Sequence, residues 1–186
     1  MKKTDLRTLH TAVWQFRNEM ADDFPTPGRN DSLAFALTEA AEAVDAELRL
    51  NPLYKRNALK EHSIEQELTQ CVIMLLTAIS SSFRAWADLD LYETITVWNP
   101  RTIGIRVAHC LETPGDTSYI LQTVAIIGAT VDLTTTLPAE LERWKAKHKP
   151  YSGTAAGWHM TKLERITYPQ TAEQLIIADY NDGAGV

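Results

Sequence analysis

Four oxygen-bearing side chains, set in two helical stretches, carry the most specific chemistry available to this sequence. Glu39 and Glu42 lie three residues apart in "LTEAAEAVDAELR", residues 37–49, and Glu67 and Gln70 lie three apart in "ELTQ", residues 67–70. A spacing of three places two side chains on the same face of an α-helix. Such a pair can be solvated surface charge, half of an ion-pair network, or part of a metal site. The neighbours bear on the choice. At about 100° per residue, Leu33, Leu37, Ala40, Ala41, Val44 and Leu48 form one apolar stripe, which predicts the core face of the first stretch. Glu39 and Glu42 fall on the other side, beside Phe35, Ala43 and Ala46. That side is too apolar for open solvent, and a covered pair of carboxylates resists desolvation unless a cation compensates.

The second stretch repeats the layout. Ile64, Leu68, Cys71, Val72, Leu75 and Ile79 form its core stripe, with Glu67 and Gln70 beside Met74 and Ala78. Two antiparallel helices joined by a loop can bring the two faces together. Glu39, Glu42, Glu67 and Gln70 then point into one space as four hard oxygen donors. Hard oxygen ligands suit Mg2+ or Mn2+ rather than zinc. The chemistry such a centre supports is attack of water on a phosphoryl group.

With these residues the chain resembles the MazG-like all-α nucleoside triphosphate pyrophosphohydrolases. Their signature is an ExxE helix, a spacer, and ExxD on a second helix. Here the parts are "EAAE" (39–42), 24 intervening residues and "ELTQ" (67–70), so the motif reads ExxE/ExxQ. The preceding "DDFPTPGRNDSLAFALTEAAE" is similar to the entry into the acidic helix in the subgroup acting on pyrimidine deoxynucleotides, and "KLERITYP" near the end matches only distantly. The resemblance covers residues 5–86 and weakens beyond them. It implies a helical bundle with additional C-terminal helices, Mg2+-dependent hydrolysis of an NTP or dNTP to monophosphate and pyrophosphate, and a homodimer or homotetramer. It gives Glu39, Glu42 and Glu67 the metal and catalytic roles, with Gln70 as the fourth ligand. Two positions depart from the pattern. Thr38 stands where an acid is common, and Gln70 replaces the aspartate, which predicts weaker metal binding or fewer metals. A MazG-like module that binds nucleotide or assembles without turnover is the alternative, with Glu61, Glu65 and Asp88 as acids that could compensate. A helical interaction protein whose acids form salt bridges is the third reading.

The elements that must position these residues are helical. Leu6, Leu9, Val13 and Phe16 predict a helix over 5–20. "DDFPTPGRNDS" is a loop ending in the N-cap formers Asn30, Asp31 and Ser32, so the acidic helix is expected from Ser32 to Arg49. "SIEQ" (63–66) reads as a capping box opening a helix that runs to Phe83 or Trp86. Further helical patterns cover 102–112, 117–134 and 138–148, and "YETITVW" is the best strand candidate. The expected fold is all-α, with residues 1–90 as the MazG-like core. Residues 91–186 hold further helices and a tail, which faintly echo a degenerate second half in "QTVAIIGA" against "QCVIMLLTA".

Composition bounds the partners. The 186 residues carry a net charge of −6, which argues against a nucleic-acid binder working through a broad basic surface. "MKKTDLRTLH" lacks the apolar core of a signal peptide, and "CVIMLLTAI" is about half a membrane span. Cys71 and Cys110 stand in apolar helical sequence outside any CxxC motif, which predicts buried free thiols and a cytoplasmic protein.

Other residues could serve a nucleotide. Trp14 lies off the first helix's stripe and could stack on a base. Arg29 and Asn30 could meet phosphate or base, with Asn30 as a plain N-cap the simpler role. Lys55, with Arg56 and Lys60, lies between the acidic helices and could meet a triphosphate. "ELERWKAKHK" (140–149) reads as an exposed helix with charged flanks.

Overall fold

Six helices carry the described residues, 3–50, 63–86 and 99–147 of the computed structural model: α1 (Lys3–Glu19), α2 (Arg29–Arg49), α3 (Ile64–Thr77), α4 (Pro100–Glu112), α5 (Thr117–Thr130) and α6 (Leu133–Lys147). No strand occurs among these residues, so they are all-α. They fall within one compact unit, Met1–His148. "YETITVW" and the C-terminal "KLERITYP" lie outside the described residues, as do Lys55, Arg56, Lys60, Glu61 and Asp88. No single helix among the described ones is long and apolar enough to cross a membrane.

α3 is the axis of the fold. Every residue from Glu67 to Thr77 is buried, and the helix packs against α1, α2, α5 and α6. Ser63 caps it as expected, its Oγ accepting from the Gln66 N–H at 3.2 Å. The reciprocal half of the capping box does not form: the Gln66 amide donates instead to Glu140 at 3.3 Å. α3 also ends earlier than Phe83. The carbonyls just past its end are taken by side chains from other elements. Arg29 Nε donates to Ala78 O at 2.8 Å, and Trp14 Nε1 donates to Ile79 O at 2.8 Å. Ser80 and Ser82 then pair through their hydroxyls at 2.8 Å, and the Ser82 N–H turns to Ser80 Oγ. Serine side chains that offer the backbone a local alternative in this way end helices.

α2 starts three residues before the expected Ser32, at Arg29, with Gly28 as an N-cap that makes no side-chain hydrogen bond. Its buried residues are Ser32, Leu33, Ala36, Ala40, Ala43 and Ala46. That arc is turned by about a quarter of a helical turn from the expected stripe. Ala41 is exposed, and Leu37, Val44 and Leu48 are half-buried flanks. The arc faces two partners, α3 and α4, and four alanines on it let those helices approach closely. Position relative to the neighbours, not apolar bulk, decides which side of α2 is inside.

The remaining helices cap themselves. Asn99 Oδ1 accepts from Thr102 N–H, Pro100 occupies the first turn of α4, and Asp116 caps α5. α6 begins at Leu133, five residues before the expected start. The Asp132 carboxylate takes the hydroxyls of Thr134 and Thr135, and its carbonyl takes the N–H groups of Thr135 and Thr136. Pro138 therefore stands inside the helix rather than at its start. α5 stops at Thr130, where Val131 turns extended, and α6 leaves at 101° to it. Leu6, Leu9, Val13 and Phe16 of α1 are buried as their spacing predicts, and both cysteines are buried and free.

The turned register of α2 has a measurable consequence. Ala43→Leu overpacks a fully buried position and should destabilise the protein by about 1–3 kcal/mol. Ala41→Leu, on the exposed side, should change stability by less than about 0.5 kcal/mol. Urea unfolding of the two variants reads the difference directly, and equal losses would refute the register.

Candidate metal centre

The turn of α2 carries Glu39 into its buried arc and leaves Glu42 at the edge of it. α3 presents Glu67, fully buried, one turn into the helix. One carboxylate oxygen from each of Glu39, Glu42 and Glu67 lies within 4.8 Å of the others. Three carboxyls, one buried and two half-buried, thus crowd together. The cost appears at Glu39, whose carboxyl is pushed from 4.5 up to about 8. Burial is the main cause, followed by the charge of Glu67, a direct hydrogen bond with Glu67, and the charges of Glu42 and Glu140. The Glu39 carboxyl is therefore held towards its protonated form and hydrogen-bonds to Glu67. Burial and the Glu39 charge also push the neighbouring Cys71 thiol up, so it is inert.

Gln70 lies one turn beyond Glu67 on α3 and is 6 % exposed. Its Nε2 donates to Glu140 Oε1 of α6 at 2.9 Å. Glu140 is itself 5 % exposed, which overturns the reading of "ELERWKAKHK" as a wholly exposed stretch. Burial opposes its ionisation, but Arg143 wins: its Nε donates to Oε2 at 2.8 Å and a second guanidinium N–H donates to Oε1. The Glu140 carboxyl is consequently held below the ordinary value. A Thr69–Thr136 hydroxyl bond at 3.0 Å continues this polar seam between α3 and α6.

The structure brings Glu39, Glu42 and Glu67 together, while Gln70, one turn beyond Glu67, bonds Glu140. It gives other partners to the residues considered for nucleotide contact. Trp14 is partly buried with its indole N–H on the Ile79 carbonyl, and its ring lies edge-on to His10. Arg29 bridges Ala78 O and the Thr117 hydroxyl. Asn30 is exposed in the first turn of α2 and is not its N-cap. Glu65, the described candidate for compensation, is exposed. Glu140 was not singled out from sequence, although Leu133, Leu137, Glu140, Leu141 and Trp144 follow one helical stripe and place it inward.

No family model matches the chain, and no curated protein or solved structure shows significant similarity to it.

The raised Glu39 carboxyl sets a pH dependence. In the unfolded chain Glu39 ionises near 4.5, and in the fold near 8. Between these values the folded state holds a proton that the unfolded state has lost, so stability falls as pH rises. In metal-free protein with chelator present, the contribution of this group is fully favourable below about pH 4.5 and is lost by about pH 8. Thermal melts should therefore decline across this range in the wild type. Glu39→Gln, which cannot ionise, should flatten that part of the decline, and a Glu39→Gln slope as steep as the wild type's would refute the assignment.

Proposed function

We propose that this chain is a divalent-metal-dependent nucleotide pyrophosphohydrolase of the MazG-like kind, converting a nucleoside triphosphate to the monophosphate and pyrophosphate. The observation that carries the proposal is the convergence of Glu39, Glu42 and Glu67 to within 4.8 Å, with Glu39 pushed up to about 8. Three hard oxygen donors, one of them protonated because no charge offsets the others, form a donor set suited to Mg2+ or Mn2+. Glu39, Glu42 and Glu67 would hold the ion. Bound there, it would supply the positive charge that polarises a phosphoryl group and offsets the leaving pyrophosphate.

The chain's own residues do the rest. With a cation's charge present, Glu39 no longer needs its proton, and a carboxylate of the trio accepts the proton of the attacking water. The apolar residues flanking Glu67 and Gln70 on α3 keep bulk water from the reacting centre. The pyrimidine dNTP preference rests on the "DDFPTPGRNDS" segment alone.

A second reading has an observation of its own. Gln70 brings no charge, and its amide is spent in part on Glu140, which favours a centre that binds nucleotide and metal without rapid turnover.

Incubation with a panel of NTPs and dNTPs plus Mg2+ or Mn2+, with pyrophosphate release measured, decides between them. Turnover should fall about 100-fold or more in Glu39→Gln and Glu67→Gln, as loss of several kcal/mol of charge stabilisation implies. Metal-dependent nucleotide binding without release supports the second reading. Absence of both, with no metal-induced shift in melting temperature, overturns the proposal.

A further inference from the structure

Arg17, in the last turn of α1, is 1 % exposed. Burial lowers its guanidinium to about 10, which keeps it charged at neutral pH, and among the described residues no carboxylate pairs with it. Its donors are unevenly served. Nε donates to the Thr77 hydroxyl at 3.2 Å and Nη2 to the Met74 sulfur at 3.3 Å, so one edge of the fork faces α3. A thioether is a weak acceptor, and Nη1, with two hydrogens, is buried with no hydrogen-bond partner at all. The rings of Phe16, Phe24 and Trp144 lie 5.8, 5.0 and 6.0 Å from the guanidinium carbon. Cation–π contact offsets part of the cost of burying the charge. It leaves the Nη1 hydrogens unmet, and a buried donor without a partner calls for an explanation. The cover over this group is also uneven. On the α3 side Met74 and Thr77 are buried. Phe24 is half-buried and stands on a loop where Ala21, Asp22, Asp23, Pro25, Thr26 and Gly28 are all exposed. The N–H groups of Asp23 and Phe24 both return to Met20 O, at 3.1 and 2.7 Å, so this turn is tied to itself rather than to the core.

We infer that Arg17 anchors a binding site for a small-molecule carboxylate, with Phe24 as the side chain that moves to admit it. The carboxylate oxygens take the end edge of the fork, Nη1 with the remaining Nη2 hydrogen, and the ligand's apolar body lies among Phe16, Phe24 and Trp144. The inference stands apart from the metal reading of the acidic centre. Charge selects a carboxylate over a phosphate. A planar monoanion matches one guanidinium edge bidentately and neutralises it. A phosphate group carries closer to two charges at neutral pH and calls for a second cation. Lys145, next to Trp144 in sequence, is already held by Glu19 and Glu142 at 2.7 and 3.0 Å. Asp22 and Asp23 precede Phe24 on the loop and add repulsion that a dianion feels more strongly.

The probe is benzoate, with acetate and inorganic phosphate as comparisons, read by thermal melts of the full chain in buffer free of other carboxylates and phosphate. Benzoate should raise the wild-type Tm by about 3–6 °C at ten times its dissociation constant. Acetate, which has no ring to lie against the aromatic side chains, should need about 10-fold more. Arg17→Met keeps an apolar stem and removes the charge. Without ligand it should melt at or above the wild-type temperature, because an uncompensated buried charge is gone, and it should lose the benzoate response. No benzoate shift in the wild type, or one retained in Arg17→Met, overturns the inference. A larger shift with phosphate than with benzoate overturns the choice of a carboxylate. Should Arg17→Met not fold, arginine-labelled wild type gives the same answer: the Arg17 Nη resonances should move on benzoate addition, and unmoved ones refute the site. A last variant asks whether the loop supplies the anion itself. Asp22→Asn with Asp23→Asn should keep the benzoate response and melt within about 2 °C of wild type, as exposed substitutions do. A loss of stability there that disappears in the Arg17→Met background makes the loop the partner and overturns the inference.

Discussion

One cost shapes the centre of this fold: three carboxyls, one buried and two half-buried, meet where α2 packs on α3. Glu39 and Glu67 share a hydrogen bond, and Glu42 lies within 4.8 Å of both. Ionising a buried carboxylate is expensive, and two half-buried carboxyls beside it raise the cost further. The molecule lowers the cost by leaving a proton on Glu39. It cannot lower it by opening the site, because the alanines that bring α2 close to its partners are the residues beside the acids: Ala36, Ala40, Ala43 and Ala46 lie on the same arc as Glu39. Close packing and charge strain are thus two results of one sequence pattern.

The reading of the sequence succeeded where short-range rules apply. Helical spacing alone placed Glu39 near Glu42 and Glu67 near Gln70, whereas Phe35, taken as a sign that the first pair is covered, is 52 % exposed. The Ser63 cap needed only the side chain's reach to Gln66 N–H. Reading failed where a partner distant in sequence decides. The wheel of α2 ranks sides by apolar bulk and so favours Leu37, Val44 and Leu48, whereas α3 and α4 together bury the alanines. The Gln66 amide was expected to reach back along its own helix, but an ionised carboxylate on α6 is a better acceptor than local geometry provides. Past the end of α3, Arg29 and Trp14 take the carbonyls of Ala78 and Ile79, and no local pattern carries that. Glu140 was hidden because an acid flanked by Leu141, Glu142 and Arg143 looks like surface until Leu133 and Leu137 are counted with it.

The direction of α3 ties the two ends of the core together. Its inward face carries Glu67, Gln70, Met74 and Thr77 in order. At the last two stands Arg17, 1 % exposed, its Nε on the Thr77 hydroxyl at 3.2 Å and one terminal nitrogen 3.3 Å from the Met74 sulfur. Among the described residues no carboxylate pairs with it; instead Phe16, Phe24 and Trp144 present their rings at 5.8, 5.0 and 6.0 Å. Desolvation lowers its guanidinium to about 10, which leaves it charged at neutral pH. The buried acid Glu67 thus lies at the N-terminal end of α3 and the buried base Arg17 at its C-terminal end. A helix favours these two placements, since its N-terminus carries partial positive charge and its C-terminus partial negative charge. Swapping the two would set each charge against the dipole as well as against desolvation. The axis that α3 provides is therefore electrical as well as steric. It gives a physical reason why an acidic centre can be built into the first turns of a helix that is otherwise wholly buried.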